Sequence, residues 1–178
     1  MTPQPNAPFR IFTIGHSTRT IEEFVALLRA HKIGRLVDIR SIPRSRRNPQ
    51  FNRETLGRFL RNRRIRYRHL PGLGGLRHAK RDSINTAWRN ASFRGYADYM
   101  QTTAFEEALD ALLVLAAKAT TAIMCAEAVP WRCHRSLVGD ALVARGIEVR
   151  DIFNRSAAKP HLLTPWARIR AGKISYPG

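Results

Sequence analysis

The chain has 178 residues, of which 44% are hydrophobic, and this is enough for one domain with a substantial core. Two cysteines are too few for a disulfide-stapled scaffold, and no apolar run approaches the length of a membrane span. The formal net charge of +18 predicts contact with an anionic partner, either a nucleic acid or a phosphate-bearing small molecule. Arg greatly outnumbers Lys, as a GC-rich genome also produces, but that bias does not account for only 13 acidic residues.

The first half of the chain alternates strand and helix patterns after a short N-terminal segment. Residues 1–9 are predicted to be disordered and lack the apolar region of a signal peptide, so we expect a cytoplasmic protein. Thr20 and Glu23 have the spacing of a capping box, which marks the start of the clearest helix. The periodicity predicts strands and helices in the order 10–14 (strand), 20–33 (helix), 36–39 (strand), 52–64 (helix) and 65–70 (strand). A basic loop, 40–50, precedes the second helix.

The second half continues the alternation. Helices are predicted over 93–100 and 103–118, the latter opened by a Thr103–Glu106 capping box. A buried strand follows over 121–125, then a helix over 133–145 that ends before Gly146, and a last strand over 148–153. Residues 77–90 show no clear pattern. We expect residues 154–178 to form a C-terminal tail packed on the surface, anchored by Leu162, Leu163 and Trp166.

This order of elements predicts the fold class. Regular alternation of strands and helices indicates a single three-layer α/β domain over residues 10–153, with a mostly parallel sheet covered by helices on both faces. In such sheets, ligands bind beyond the carboxyl ends of the strands, near a change in strand order. The sequence therefore predicts where a site should lie.

Reactive side-chain types occur at those predicted strand ends and in the loops beyond them. The candidate catalytic residues are His16, Asp38, Glu127 and Cys133. The candidate substrate-binding residues are Gly15, Ser17, Arg40, Ser41, Gly74, Gly75, Tyr96, His134 and Arg135. Because they are far apart in sequence and converge at one predicted edge, we expect them to share a pocket.

Five motifs in this order resemble a known family, the domain-of-unknown-function family 488. They are TIGHS at 13–17, VDIRS at 37–41 with Pro43, LGG at 73–75, RGYADYM at 94–100 and MCAE…P…CHR at 124–135. The resemblance covers residues 11–152. It implies one α/β domain with a pocket built from these motifs, and it implies no particular reaction.

Two interpretations are open for the residues that start the helix at 133. A helix N-terminus holds anions and lowers the pKa of a thiol, so Cys133 is a candidate nucleophile and Arg135 a candidate anion ligand. Alternatively, Cys133 is a small buried residue and Arg135 a surface charge. Cys125 ends an apolar strand, and inert packing is favoured there.

The carboxylates and the histidine also have two interpretations each. Asp38 and Glu127 would face each other if their strands are neighbours, and such a pair can divide acid and base roles. Asp38 can instead form a salt bridge with Arg40. His16 is either a proton shuttle or a hydrogen-bonded turn residue. Tyr96 either stacks on a base or packs in the core.

The sequence leaves the cofactor unknown. The Gly74–Gly75 loop has neither the GxGxxG nor the GxxxxGK[ST] pattern, so neither a nicotinamide nor a P-loop nucleotide is expected. A zinc site formed by Cys125, Cys133, His134 and His16 is sterically conceivable, but its spacing matches no standard pattern.

Three hypotheses about function follow from these observations. The first is an enzyme acting on a phosphate-bearing or nucleic-acid substrate. The second is a non-catalytic nucleic-acid-binding module that uses the arginines of residues 40–66. The third is a cysteine- or metal-dependent enzyme. No membrane partner is expected, and the oligomeric state is left open.

Overall fold

A six-stranded sheet forms the centre of the computed structural model, which describes residues 10–178; the segment 1–9, predicted to be disordered, lies outside the described residues. The strand order is β3-β2-β4-β1-β5-β6. All neighbouring strands are parallel except β6, which runs antiparallel to β5. The strands are β1 (Arg10–Gly15), β2 (Arg35–Asp38), β3 (Arg66–His69), β4 (Thr121–Cys125), β5 (Glu148–Ile152) and β6 (Lys159–Pro160), with a separate hairpin of β7 (Arg168–Arg170) and β8 (Lys173–Ser175).

Helices cover both faces of this sheet, as the sequence predicts. Alternate residues of the buried strands point to opposite faces, so that Ile123 of β4 joins one core and Met124 the other. Two helices pack on one face, α1 (Ile21–Ala30) and α2 (Arg53–Arg61). Three pack on the other, α3 (Ala91–Tyr99), α4 (Thr103–Ala116) and α5 (Arg135–Ala144). Across residues 10–178, no helix has the length and apolar character to cross a membrane.

The helix ends confirm one predicted cap and correct two others. The capping box of α1 is present, with Thr20 and Glu23 bonding each other's backbone N–H. The predicted box at Thr103 is wrong, because Thr102 caps α4 by accepting the backbone N–H of Phe105. Helix α5 begins two residues later than predicted, because Cys133 has an extended backbone.

The C-terminal tail makes specific contacts with the rest of the chain. Strand β6 extends the sheet beside β5, and the buried Tyr176 donates a hydrogen bond from its hydroxyl to Asp140 of α5 (2.8 Å). Leu163 packs against the core and Trp166 meets Trp88 edge to face. The prediction that Leu162 is an anchor is wrong, since it is 84% exposed.

A buried histidine of the tail ties three elements together. His161 Nε2 lies 2.9 Å from Asp140 of α5, and its Nδ1 lies 3.2 Å from Asp151 of β5. Thr13 of β1 donates a further hydrogen bond to Asp151 (2.5 Å). Burial alone would lower the pKa of His161, but its hydrogen bonds to Asp140 and Asp151 raise it from 6.5 to about 9. The imidazolium therefore neutralises two carboxylates that the fold has buried.

Candidate functional site

The strand order switches between β1 and β4: the chain adds β2 on one side of this pair and β5 on the other. These strands are neighbours, and Gly15 at the end of β1 pairs with Cys125 at the end of β4. The helix after β1, α1, packs on one face of the sheet, whereas the helix after β4, α5, packs on the other. Such a reversal opens a crevice beyond the carboxyl ends of the strands, where open α/β sheets bind ligands.

A close backbone approach forms one wall of this crevice. A Cβ atom at Gly15 would overlap the carbonyl of Glu127, so only glycine lets the loop after β4 lie against β1. The next residues continue the contact, with the backbone N–H of His16 donating to the Cys125 carbonyl at 3.0 Å. Ser17 then turns the chain at φ 50°. Gly15 and Ser17 thus shape the crevice through their backbones.

The carboxylate of Asp38 is held by four hydrogen bonds from its neighbours. Its carboxylate accepts hydrogen bonds from the backbone N–H of Arg40 (3.1 Å), from Arg40 Nε (2.9 Å), from Arg40 Nη2 (2.6 Å) and from the hydroxyl of Tyr67 (2.6 Å). Asp38 is completely buried. Burial and the adjacent carboxylate raise the pKa of Tyr67, which keeps its hydroxyl protonated. Asp38 therefore positions Arg40, in line with the salt-bridge alternative.

Arg40 lines the crevice and has one side-chain N–H that is not used by the described chain. Four of its five side-chain N–H groups are used, two on Asp38, one on the Phe51 carbonyl (2.7 Å) and one on His16 Nε2 (3.3 Å). The fifth has no protein partner within residues 10–178. Burial disfavours the charge of Arg40, but Asp38 raises its pKa, so it stays cationic. A fixed guanidinium with one open N–H is suited to holding an anionic oxygen.

His16 accepts a hydrogen bond from Arg40 and helps to hold it in place. Its Nδ1 lies 2.8 Å from the Ser17 carbonyl, which can only accept, so Nδ1 carries the hydrogen and Nε2 accepts from Arg40. The ring stacks on Phe51 at 4.3 Å. Burial and the charge of Arg40 lower the pKa of His16 to about 4, so the ring is neutral near pH 7. Both nitrogens are occupied, which makes His16 a positioning residue in this structure.

A cavity of about 270 Å³ opens at the crevice. The sequence-predicted candidates that line it are Arg40, Ser41, Gly75, Glu127, Cys133 and His134. Four further residues that were not candidates also line it, namely Ile42, Leu76, Cys125 and Ala126. Ile42 and Leu76 are largely exposed and form an apolar part of the rim.

Cys125 and Cys133 both line this cavity, and each thiol influences the pKa of the other. Burial opposes ionisation of Cys125, but the hydrogen bond from Cys133 and the charge of Arg135 outweigh it and lower its pKa. Burial and the interaction with Cys125 raise the pKa of Cys133 well above the ordinary value. Of the two thiols, Cys125 is therefore the one that ionises more readily.

His134 and the glycine-rich loop form the opposite wall. His134 Nε2 donates to the Ile39 carbonyl (2.9 Å), which leaves Nδ1 as an acceptor beside Gly75. Burial, together with the charge of Arg135, lowers the pKa of His134 to about 4. Ser41 donates its hydroxyl to the Gly75 carbonyl (2.8 Å) and so holds the loop in place.

Arg135 lies beneath the cavity and is only 1% exposed. It donates to the carbonyls of Glu127 (3.3 Å) and Ala128 (3.4 Å), and no carboxylate of the described chain pairs with it. Its Nε has no hydrogen-bond partner among those residues. The guanidinium thus fixes the loop after β4 and places a positive charge near the thiols.

The remaining candidates lie outside the cavity lining. Tyr96 is buried and donates its hydroxyl to the Leu73 carbonyl (2.7 Å), so it packs beneath the glycine-rich loop. Gly74 lies against Ser41. Asp38 ends β2, and Glu127 lies in the loop that follows the neighbouring strand β4. Asp38 is enclosed, whereas Glu127 is exposed at the cavity mouth.

No group of three or more His, Cys, Asp or Glu side chains in residues 10–178 is arranged to hold a metal ion. The hydrogen bonds of His16 and His134 to backbone carbonyls explain part of this result, because each occupies one ring nitrogen. The side chains lining the cavity thus offer thiol and guanidinium chemistry.

Comparison with known proteins gives one family. A family model described as "Domain of unknown function DUF488" matches residues 20–142, more than half of the chain, so the protein belongs to this family. The match includes every motif noted above except TIGHS, which precedes it. No curated protein and no solved structure matches the chain.

Proposed function

We propose that this member of the DUF488 family is a thiol-dependent enzyme that binds a phosphate-bearing substrate in the cavity at the ends of β1, β2 and β4. One observation carries the proposal: the paired thiols of Cys125 and Cys133 line the same cavity as the guanidinium of Arg40. A thiol whose pKa is lowered, beside a fixed cation, is the usual setting of a nucleophilic cysteine.

The roles follow from the hydrogen bonds. Arg40 holds a phosphate oxygen with its free N–H, and the thiolate of Cys125 is the nucleophile. Its sulfur bonds to phosphorus while the bond from phosphorus to the leaving oxygen breaks, and that oxygen takes a proton from solvent. Water then cleaves the sulfur–phosphorus bond and restores the thiolate, with the carboxylate of Glu127 at the cavity mouth accepting the proton of the water.

The alternative in which Asp38 is an acid or base is less well supported, because all its hydrogen bonds go to Arg40 and Tyr67. Metal dependence is also less well supported, since the described residues offer no ligand cluster. Free thiols require a reducing compartment, which fits the cytoplasmic location expected from the sequence.

Alkylation of the thiols by two reagents that differ in charge tests the proposal. Iodoacetate is anionic and iodoacetamide is neutral, and both react with thiolates. We expect Cys125 to react before Cys133, with a pH midpoint below that of a free cysteine. The ratio of the iodoacetate rate to the iodoacetamide rate should fall roughly tenfold in the double variant Asp38→Asn/Arg40→Gln, which corresponds to about 1.4 kcal/mol of lost attraction.

The double variant removes both partners of the buried ion pair, so no uncompensated charge is left. Arg44→Gln, which removes an exposed arginine outside the cavity lining, is the matched control and should leave the ratio unchanged. Cys133→Ala should raise the pH midpoint of Cys125. Equal rates with the two reagents, or an ordinary midpoint for Cys125, would refute the proposal.

A phosphate monoester gives the direct readout of activity. The unmodified protein should release p-nitrophenol from p-nitrophenyl phosphate, and Cys125→Ser should abolish the release. Release that persists in Cys125→Ser would exclude the thiolate as nucleophile.

A further inference from the structure

A second cavity, larger than the thiol cavity, lies at the other end of β2 and β3. It is a groove of about 660 Å³ formed where these two strands begin and where α2 ends. Five arginines line it: Arg35, Arg61, Arg64, Arg66 and Arg68. It shares no lining residue with the thiol cavity, so it is a separate feature of the surface.

The positive charges in this groove are not neutralised by the protein. No acidic side chain lines the groove, and none of its five arginines forms an ion pair with a carboxylate of residues 10–178. Arg35 is only 6% exposed, and its one side-chain hydrogen bond is to the Leu115 carbonyl. Burial and the charges of Arg66 and Arg68 lower the pKa of Arg35. Bound anions would relieve this repulsion.

The arginines are spaced for a chain of anions. Arg66 and Arg68 alternate with Tyr67 along β3 and are both exposed, so they lie on one side of the strand. Their side chains start roughly 6.6 Å apart, since a strand rises about 3.3 Å per residue. Successive phosphates of an extended nucleic-acid strand have a comparable separation. Arg61, the last residue of α2, and Arg64, in the turn that follows, line the same groove.

Protection of the sheet edge does not explain the whole cluster. Charged side chains on an edge strand prevent unwanted strand pairing, and β3 is an edge strand. That role applies to Arg66 and Arg68, but not to the arginines of α2 or to the buried Arg35. An acidic peptide added as a further strand is also disfavoured, because β3 has only four residues to pair with it.

We propose that this arginine groove binds the phosphate backbone of a single-stranded nucleic acid. Guanidinium groups match phosphate geometry and stay charged, which makes arginine the preferred residue for this contact. Five of the nine residues that line the groove are arginines, so its main feature is positive charge. Binding here is therefore expected to depend on the backbone and not on sequence.

Fluorescence anisotropy with labelled single-stranded RNA and DNA oligonucleotides tests the groove. The groove variant Arg61→Ala/Arg66→Ala/Arg68→Ala removes three exposed arginines that make no side-chain hydrogen bond within residues 10–178. The control variant Arg44→Ala/Arg46→Ala/Arg47→Ala removes the same charge from the basic loop. Urea unfolding curves of both variants verify that they fold.

For the groove variant, we expect the slope of log K against log salt concentration to fall by about 2, because each phosphate contact in a single strand contributes about 0.7. Between about 50 and about 200 mM salt, the unmodified protein should therefore lose about sixteenfold more affinity than the variant. The loop variant should keep the original slope. A preference for RNA would add recognition of the 2′-hydroxyl and would support the proposal equally.

Three results would overturn the inference. Equal losses in the groove and loop variants would mean a general charge effect. No loss in the groove variant would place binding elsewhere. Competition by polyglutamate as effective as that by RNA would identify an acidic polypeptide as the ligand. Because these measurements need no reactive thiol, their outcome is independent of the proposed enzymatic activity.

Discussion

Raising the pH should destabilise the protein through His161 of the C-terminal tail. The folded state raises the pKa of His161 from 6.5 to about 9 through its hydrogen bonds to Asp140 and Asp151, which exceed the opposing effect of burial. Its side chain is only 4% exposed, so little solvent screening applies. Each pKa unit corresponds to about 1.4 kcal/mol, so the protonated ring contributes about 3 kcal/mol to the free energy of unfolding.

The direction of the effect follows from the two pKa values. Below pH 6.5 the imidazole is protonated in both folded and unfolded states, and the full contribution is present. Between pH 6.5 and about 9 the unfolded state releases its proton first, so stability falls as pH rises. Above about pH 9 the contribution is lost.

Urea unfolding at about pH 6 and about pH 10 measures this change, and NMR of the imidazole resonances measures the pKa directly. The difference in free energy of unfolding between the two pH values should be smaller by about 3 kcal/mol in His161→Gln. His31→Gln, which removes a histidine that bonds the Asn154 carbonyl, is the control and should keep the full difference. An NMR pKa near 6.5 for His161, or an unchanged pH dependence in His161→Gln, would refute the reasoning.

Two further predictions concern the thiol cavity and its supports. Gly15→Ala should destabilise the protein by about 2 kcal/mol or more, because the added Cβ overlaps the loop after β4. Gly57→Ala, within α2, should instead stabilise it by about 0.5–1 kcal/mol, because its Cβ would lie at an ordinary contact distance from Tyr67. Urea unfolding of the two variants measures both changes in the free energy of unfolding. Asp38→Asn should cost about 3–5 kcal/mol by leaving Arg40 buried and unpaired, and adding Arg40→Gln should recover part of the loss. Equal stability of the single and double variants would contradict the second prediction.

The fold could be predicted from the sequence because its signals are local. Strands β1 and β4 are apolar runs ended by turns, and their predicted limits agree with the structure to within one residue. Local signals fail where two neighbouring residues can both cap a helix. Thr103 has the spacing of a capping box with Glu106, whereas Thr102 is followed three residues later by Phe105. The structure nevertheless uses Thr102, so the local pattern favours the wrong residue.

The site could be predicted only in part, because its contacts join distant segments. The carboxyl ends of parallel strands meet at one edge, so the candidates could be placed together. The role of Asp38 depends on Tyr67, which reaches it only through the pairing of β2 with β3. The apolar strand favours packing as the role of Cys125, but the structure places Cys125 and Cys133 in the lining of one cavity. The sequence feature that could have identified Cys125 as a site residue is its position at the end of a buried strand, directly before a loop that contains other reactive side chains.

The excess of basic residues is not spread evenly over the structure. Several carboxylates are committed to internal partners, such as Asp38 to Arg40 and Glu106 to Arg145. Their charge is therefore unavailable to neutralise other arginines. A genomic preference for Arg over Lys would scatter guanidinium groups over the surface, with acidic residues among them. It would not gather five around one groove without a carboxylate, nor bury Arg35 among them. Part of the excess charge is thus concentrated in this groove, where it would attract a polyanion.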